Sequence, residues 1–186
     1  MIFRPTLIEC WIINQKKEIE FHVKRPLDSL LRQLTDLTYS QWAQLTTASK
    51  DTGGTARGSN QAYGFTAVAA AADTTLGIVV GTGTNAVTVS DYALQTKIAH
   101  GTGASQLSSQ LMVFSAPVLA GSTVSFTMQR TYNNGSGGDI TVQEVGLIIK
   151  SLANNFLFMI ARDLTGGHLV QNTKSYLAQY TFGVTV

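Results

Sequence analysis

Two apolar runs dominate the second half of the chain: Asp139-Ile-Thr-Val-Gln-Glu-Val-Gly-Leu-Ile-Ile-Lys150 and Phe156-Leu-Phe-Met-Ile-Ala-Arg-Asp163. Both are short and rich in β-branched and aromatic residues. Turn formers bound them, Asn133 to Gly138 before the first and Leu164-Thr-Gly-Gly167 after the second, so they predict the two strands of one hairpin. In the first strand Ile140 and Val142 alternate with Thr141 and Gln143, and then Val145, Leu147 and Ile149 carry the apolar phase on the opposite parity. A slip of one residue is what a β-bulge produces, and Gly146 is the residue that tolerates it. With a loop over 151–155, antiparallel register sets Glu144 opposite Arg162. The two charges in the middle of these runs are therefore predicted to meet and to fix the register.

Elsewhere the alternation marks two N-terminal strands, Thr6 to Ile13 and Glu18 to Lys24, joined by Asn14 to Lys17. In the second, Ile19, Phe21 and Val23 share one face and Glu20, His22 and Lys24 the other, which puts His22 on the surface. Pro26 opens the one helical pattern. Leu27, Leu30, Leu31, Leu34 and Leu37 recur at three- and four-residue spacing, with Asp28 in the first turn where the helix dipole favours an acid, and the helix is predicted to run to about Leu45. Its leucine stripe packs on the chain's own sheet or against a partner. From 46 to 61 the pattern collapses to Thr, Ser, Gly, Asn and Lys, a loop that is flexible or ordered by a partner. Beyond it strands are predicted near 62–70, 76–80, 86–89, 107–116, 122–132, 139–150, 156–163 and 175–186. Val124, Phe126, Met128 and Tyr132 line one face of one of these, and Tyr176, Ala178, Tyr180, Phe182, Val184 and Val186 one face of the last. The chain is thus predicted to be mainly β. Residues 1–45 form a hairpin and one amphipathic helix, 46–61 a loop, and 62–186 an antiparallel β-sandwich or jelly-roll-like body.

Composition changes this picture in one respect. Charged residues make up 13% of the chain, roughly half the usual share of about 25%. Up to Arg57 there are eight Lys/Arg and six Asp/Glu, whereas the remaining 129 residues carry five of each. A sheet body so sparsely charged either covers its faces with neighbouring subunits or presents a neutral Thr/Ser surface, as secreted sandwiches do. The net charge of +2 is too small to argue for nucleic acid, and the six basic residues before residue 33 are interleaved with Glu9, Glu18, Glu20 and Asp28. Cys10 is the one cysteine, which excludes an internal disulfide and fits a reducing compartment; in its apolar run it reads as a small buried hydrophobe. Met1 to Ile13 lacks the pattern of a signal peptide and no run reaches bilayer-spanning length, so no membrane partner is predicted.

Motifs that carry chemistry are weak. Leu76-Gly-Ile-Val-Val-Gly-Thr-Gly-Thr-Asn-Ala86 matches a strand followed by G-x-G-x-x-A, but a dinucleotide site needs a helix N-terminus next, and Val87-Thr-Val-Ser-Asp-Tyr-Ala alternates like a strand or turn. It reads as a glycine-rich loop at a sheet end. His22, His100 and His168 lie far apart, without His, Cys or carboxylate partners at ligand spacing, and read as loop or surface residues. No G-x-S-x-G elbow occurs. Asp73 and Asp91 flank the loop after Val80, Asp139 and Asp163 flank the central hairpin, and all four read as turn caps, with calcium binding as the alternative. No catalytic residue, metal or cofactor is predicted.

One resemblance extends over most of the chain from about Ile8. The series Gly77 to Gly83, Val87 to Leu94, Ile98 to Leu107, Asn134 to Leu147 and Phe158-Met-Ile-Ala-Arg-Asp163, preceded by a charged hairpin and Asp28-Ser-Leu-Leu-Arg-Gln-Leu34, resembles a group of structural proteins encoded by tailed bacteriophages. The resemblance implies a non-enzymatic virion component, made in a bacterial cytoplasm and assembled in many copies. Its expected partners are itself, as a trimer or other closed ring, and other virion proteins such as the major capsid protein. A capsid-surface decoration protein is the first expectation, a tail, collar or baseplate component the alternative. A carbohydrate-binding β-sandwich is a rival of another class, which a cluster of exposed tryptophans would favour, and only Trp11 and Trp42 exist.

Overall fold

The computed structural model describes residues 4–25, Leu31, Gln33, Leu37, 46–59 and 64–185. The strands are β1 (Arg4–Ile13), β2 (Ile19–Arg25), β3 (Thr47–Lys50), β4 (Ala56–Ser59), β5 (Phe65–Thr66), β6 (Gly77–Gly81), β7 (Ser108–Ser109), β8 (Val113–Phe114), β9 (Val118–Ala120), β10 (Thr123–Asn133), β11 (Ile140–Ser151), β12 (Leu157–Val170) and β13 (Ser175–Thr185). All pairings between them are antiparallel. One sheet runs β2-β1-β13-β10, with β7, β8 and β9 along the far edge of β10. A second runs β12-β11, with β5 and β6 sharing the other edge of β11, and β3 pairs with β4 alone.

The period-2 pattern builds the core directly. Register places Ile12, Tyr176 and Tyr132 in one row of the first sheet, Cys10, Ala178 and Arg130 in the next, and Ile8, Tyr180 and Met128 in a third. Cross-strand neighbours point to the same face, and this face meets Ile140, Val142, Val145, Leu147, Phe158 and Ile160 of the second sheet in one buried cluster. Each fully buried Leu, Val or Phe there contributes about 1.5–3 kcal/mol by leaving water. The second sheet is also covered on its outer side, where Val79, Ile148 and Met159 pack with Leu31, Val87 and Leu94. Because both faces are covered, burial along β11 is continuous from Glu144 to Ile148.

Several expectations need correction. The helix predicted after Pro26 lies mostly outside the described residues, Leu27, Leu30 and Leu34 with it, and the described residues make up no helix; Leu31 and Leu37 are both buried. The predicted N-terminal hairpin extends the first sheet, β1 pairing with β2 on one side and with β13 on the other. Within 46–61, β3 and β4 form a short hairpin rather than a structureless loop. The Asp51 carboxylate organises its turn, accepting from the N–H groups of Gly53 and Thr55 and from Arg57 Nε, while Thr52 N–H donates to Leu157 O. The stretch 86–89 is not a strand.

The phase slip in β11 is real, but Gly146 does not make it. Val142 pairs with His168 and Glu144 with Leu164, so Gln143 faces three residues, Thr165, Gly166 and Gly167. The two glycines at φ +81° and +89° carry β12 through this bulge instead of ending it. A second irregularity lies between Leu147 and Ile148. Gly146 sits between them in regular pairing with Arg162 and Val79, and its missing side chain makes room for Leu94, whose Cδ2 would lie 2.9 Å from a Cβ there.

Candidate functional site

The most highly connected side chain of the second sheet is Glu144. It is fully buried in β11, on the outer side of the sheet, and four donors converge on its carboxylate. Oε1 accepts from the N–H groups of Gly83 at 3.1 Å and Thr96 at 2.9 Å; Oε2 accepts from Gln95 N–H at 3.1 Å and Arg162 Nε at 2.8 Å. The glycine-rich loop after β6 is thus folded around a carboxylate of its own chain. A Cβ on Gly81 or on Gly83 would stand 2.5 Å from Glu144 Oε1, closer than real Cβ atoms come, so both positions must be glycine for the carboxylate to enter. Gln95 closes the loop from the other side, its Oε1 accepting from the N–H groups of Thr84 and Asn85. The donors a bound phosphate would use are already occupied, which removes the dinucleotide reading of Gly81-Thr-Gly83.

Arg162 completes the cluster. In the ladder it lies opposite Gly146 rather than Glu144, so the two charges meet on the diagonal, which long side chains can span. Its Nη1 donates to Asp91 Oδ2 at 2.7 Å and its Nη2 to Asn85 O at 3.1 Å, and only 3% of its side chain is exposed. Asp91 in turn accepts from Thr88 N–H and Thr88 Oγ1. Partial burial raises the Asp91 pKa, but the Thr88 and Arg162 bonds outweigh it and hold the carboxyl below the usual aspartate range. For Arg162 burial acts downward, and the two carboxylates overcome it to keep the guanidinium charged. Asp91 and Gln95 carry no sequence signal beyond turn chemistry. That the loop over 82–97 is locked to the sheet through Glu144 follows only from the fold.

A second buried charge, Arg130 in β10, is one that pattern reading passes over. All of its hydrogen bonds go to backbone carbonyls: Nε to Gln110 O, Nη1 to Leu76 O and Ile78 O, Nη2 to Ala70 O and Asp73 O, at 2.6 to 3.2 Å. Five donors and five acceptors use the whole fork of a guanidinium. The side chain fastens the segment 70–78 to the first sheet, and Tyr132 adds a bond to Ile78 O. The available signal was a charge at an inward position, between Met128 and Tyr132, in a stretch from Ile98 to Gly138 that has no other charged residue.

The remaining nominated residues are separate. His168 is not a surface residue but lies buried in β12, its Nδ1 3.3 Å from Tyr176 Oη; burial first, then the Arg25 charge, lowers its pKa to about 4. Cys10 lies in the same region, where burial pushes its thiol up to about 12, so the sulfur stays protonated and is no nucleophile. His22 is exposed and stacks on Trp11 with centroids 4.8 Å apart, and His100 binds Ser109 through Nδ1. Asp73 caps Thr75 and Asp139 accepts from Asn172 N–H, whereas Asp163 is buried in β12 and accepts from Tyr180 Oη. No three His, Cys, Asp or Glu converge on a metal position among the described residues. The arrangement is a set of anchors: charges hold loops to sheets, with their bonding capacity used internally. No known protein family, curated protein or solved structure matches the chain.

Proposed function

We propose that this chain is a structural component of a tailed-bacteriophage particle, first a capsid-surface decoration protein with a sandwich or jelly-roll-like body, and non-enzymatic. One observation supports the reading above the others: where charge occurs in the body, it is used to hold the fold. Of the ten charged residues after Arg57, Arg130, Glu144, Arg162 and Asp163 are buried. The six left outside, Asp73, Asp91, Lys97, Asp139, Lys150 and Lys174, are balanced in sign and scattered among Thr, Ser, Gly and apolar side chains, a surface suited to packing against other subunits rather than to steering a charged ligand. Rigid loops fixed from inside suit a protein that must present one shape many times over. Mass spectrometry of gradient-purified particles of the encoding phage, quantified against the major capsid protein, tests this. Capsid decoration predicts a fixed stoichiometry with the capsid lattice. A few copies per particle would move the chain to the tail, collar or baseplate, and absence from washed particles would overturn the reading.

A further inference from the structure

The buried charges that hold loops to the sheets also shape a cavity on the outer side of the second sheet. It measures about 270 Å³, near the lower end of small-molecule pockets at roughly 300 Å³. Among the described residues Ile148 of β11 and Leu157 of β12 form its floor, and Ala93, Leu94, Thr52, Thr75 and Lys97 stand around them. These wall residues come from three loops, each fixed from inside. Next to Leu94 the N–H groups of Gln95 and Thr96 are bound to Glu144, and Asp91 is bound to Arg162. Arg130 holds Asp73 O, two residues before Thr75, and the Asp73 carboxylate accepts from Thr75 N–H. The β3–β4 turn is organised by Asp51 and docked by the bond from Thr52 N–H to Leu157 O. A cavity between elements fixed in this way is preformed, so a ligand does not have to order its walls.

Charge at the cavity selects the ligand. Lys97 is exposed, and its Nζ donates to Thr74 O at 2.9 Å, which leaves two of the three ammonium donors open. Lys150 lies opposite Leu157 in the ladder, and directly opposed residues share a face, so it stands beside the cavity on the same outer side. Neither lysine is in an ion pair among the described residues. The carboxylates of the walls are taken: Asp51 by Arg57, Asp91 by Arg162, Asp73 by the N–H and hydroxyl of Thr75. Positive charge thus stands over an apolar floor on which Leu94 and Leu157 are half-buried. We infer that this cavity binds a small organic acid with one negative charge, its carboxylate at Lys97 Nζ and its apolar body on Leu94, Ile148 and Leu157. Such binding goes beyond the virion reading and does not rest on it. A free chain that takes up the acid supports the site whether or not the chain is found on particles.

The test is a methyl NMR titration of the full chain with octanoate at millimolar concentration, with octanol and inorganic phosphate as comparisons. Octanoate is expected to shift the methyl signals of Leu94, Ile148 and Leu157 saturably. Its affinity should exceed that of either comparison by about fivefold, the scale of one exposed ion pair. Lys97→Gln should remove that advantage and leave octanol binding unchanged, whereas Lys97→Arg should keep it. Lys16→Gln, in the exposed turn between β1 and β2, should change neither. Salt gives a second readout that needs no variant: raising ionic strength from about 0.01 M to about 1 M should weaken octanoate relative to octanol. Absence of a saturable shift at these methyls overturns the inference. So does octanol or phosphate binding as tight as octanoate, or a preference for the acid that survives both Lys97→Gln and salt.

Discussion

At the scale of single residues, the interior charges carry the most testable consequences. Glu144 and Arg162 are both buried and bonded to each other at 2.8 Å. A pair of this kind adds little net stability over an apolar pair, but removing Arg162 leaves Glu144 buried without a counter-charge at a cost of about 3–5 kcal/mol, whereas removing Glu144 leaves Arg162 its partner Asp91 and costs less. Glu144→Gln and Arg162→Met are each expected to destabilise more than the double change does. A double-mutant cycle by urea unfolding should show a coupling above about 1 kcal/mol, and additive effects would contradict it. His168 gives a second test. Its pKa of about 4 in the folded chain, against an ordinary 6.5, means that the unfolded chain binds more protons between those values. The contribution to stability is complete above about pH 6.5 and declines as pH falls toward 4. Around the ring stand Arg25, Tyr176, Cys10, Thr165 and Phe21. Unfolding free energy should fall by about 2 kcal/mol between pH 7 and pH 5, and His168→Gln should remove most of that difference. A variant that keeps the full drop would show that another group is responsible.

At the scale of elements, the long strands of the two sheets were legible because their period of two is clear: Tyr176, Ala178, Tyr180 and Phe182 alternate as read and are all buried. The register was two residues off for Glu144 and Arg162, since spacing alone cannot count bulges. Thr165-Gly166-Gly167 carries the chemistry of a turn, and only tertiary pairing with Gln143 keeps it in a strand. The glycine loop was found for the wrong reason. Gly81 and Gly83 stand out in sequence because glycines cradle anions, and the anion proves to be Glu144, 61 residues after Gly83 along the chain. The β3–β4 hairpin was not legible, because a segment of Thr, Ser and Gly has no apolar pattern; its order comes from a single carboxylate. Asp51→Ala removes the acceptor of three donors and leaves Gly53 and Thr55 N–H without it. Hydrogen exchange should then accelerate at least tenfold over residues 52–57 with little change in global stability, at a local cost of about 1–2 kcal/mol. Unchanged exchange there would show that docking of Thr52 on Leu157, not Asp51, orders the hairpin.

At the scale of the whole molecule, the uneven distribution of charge connects sequence to assembly. Four of the ten charges of the body lie inside, and Arg130, Glu144 and Arg162 among them anchor the loops over 70–78 and 82–97. The most direct measurement of the proposed virion role is a cryo-electron-microscopy map of the particle the chain is proposed to belong to, at a resolution that separates strands. The account predicts repeated copies of this two-sheet fold on the particle surface, in fixed ratio to the major capsid protein. A map in which no density fits the fold would contradict it.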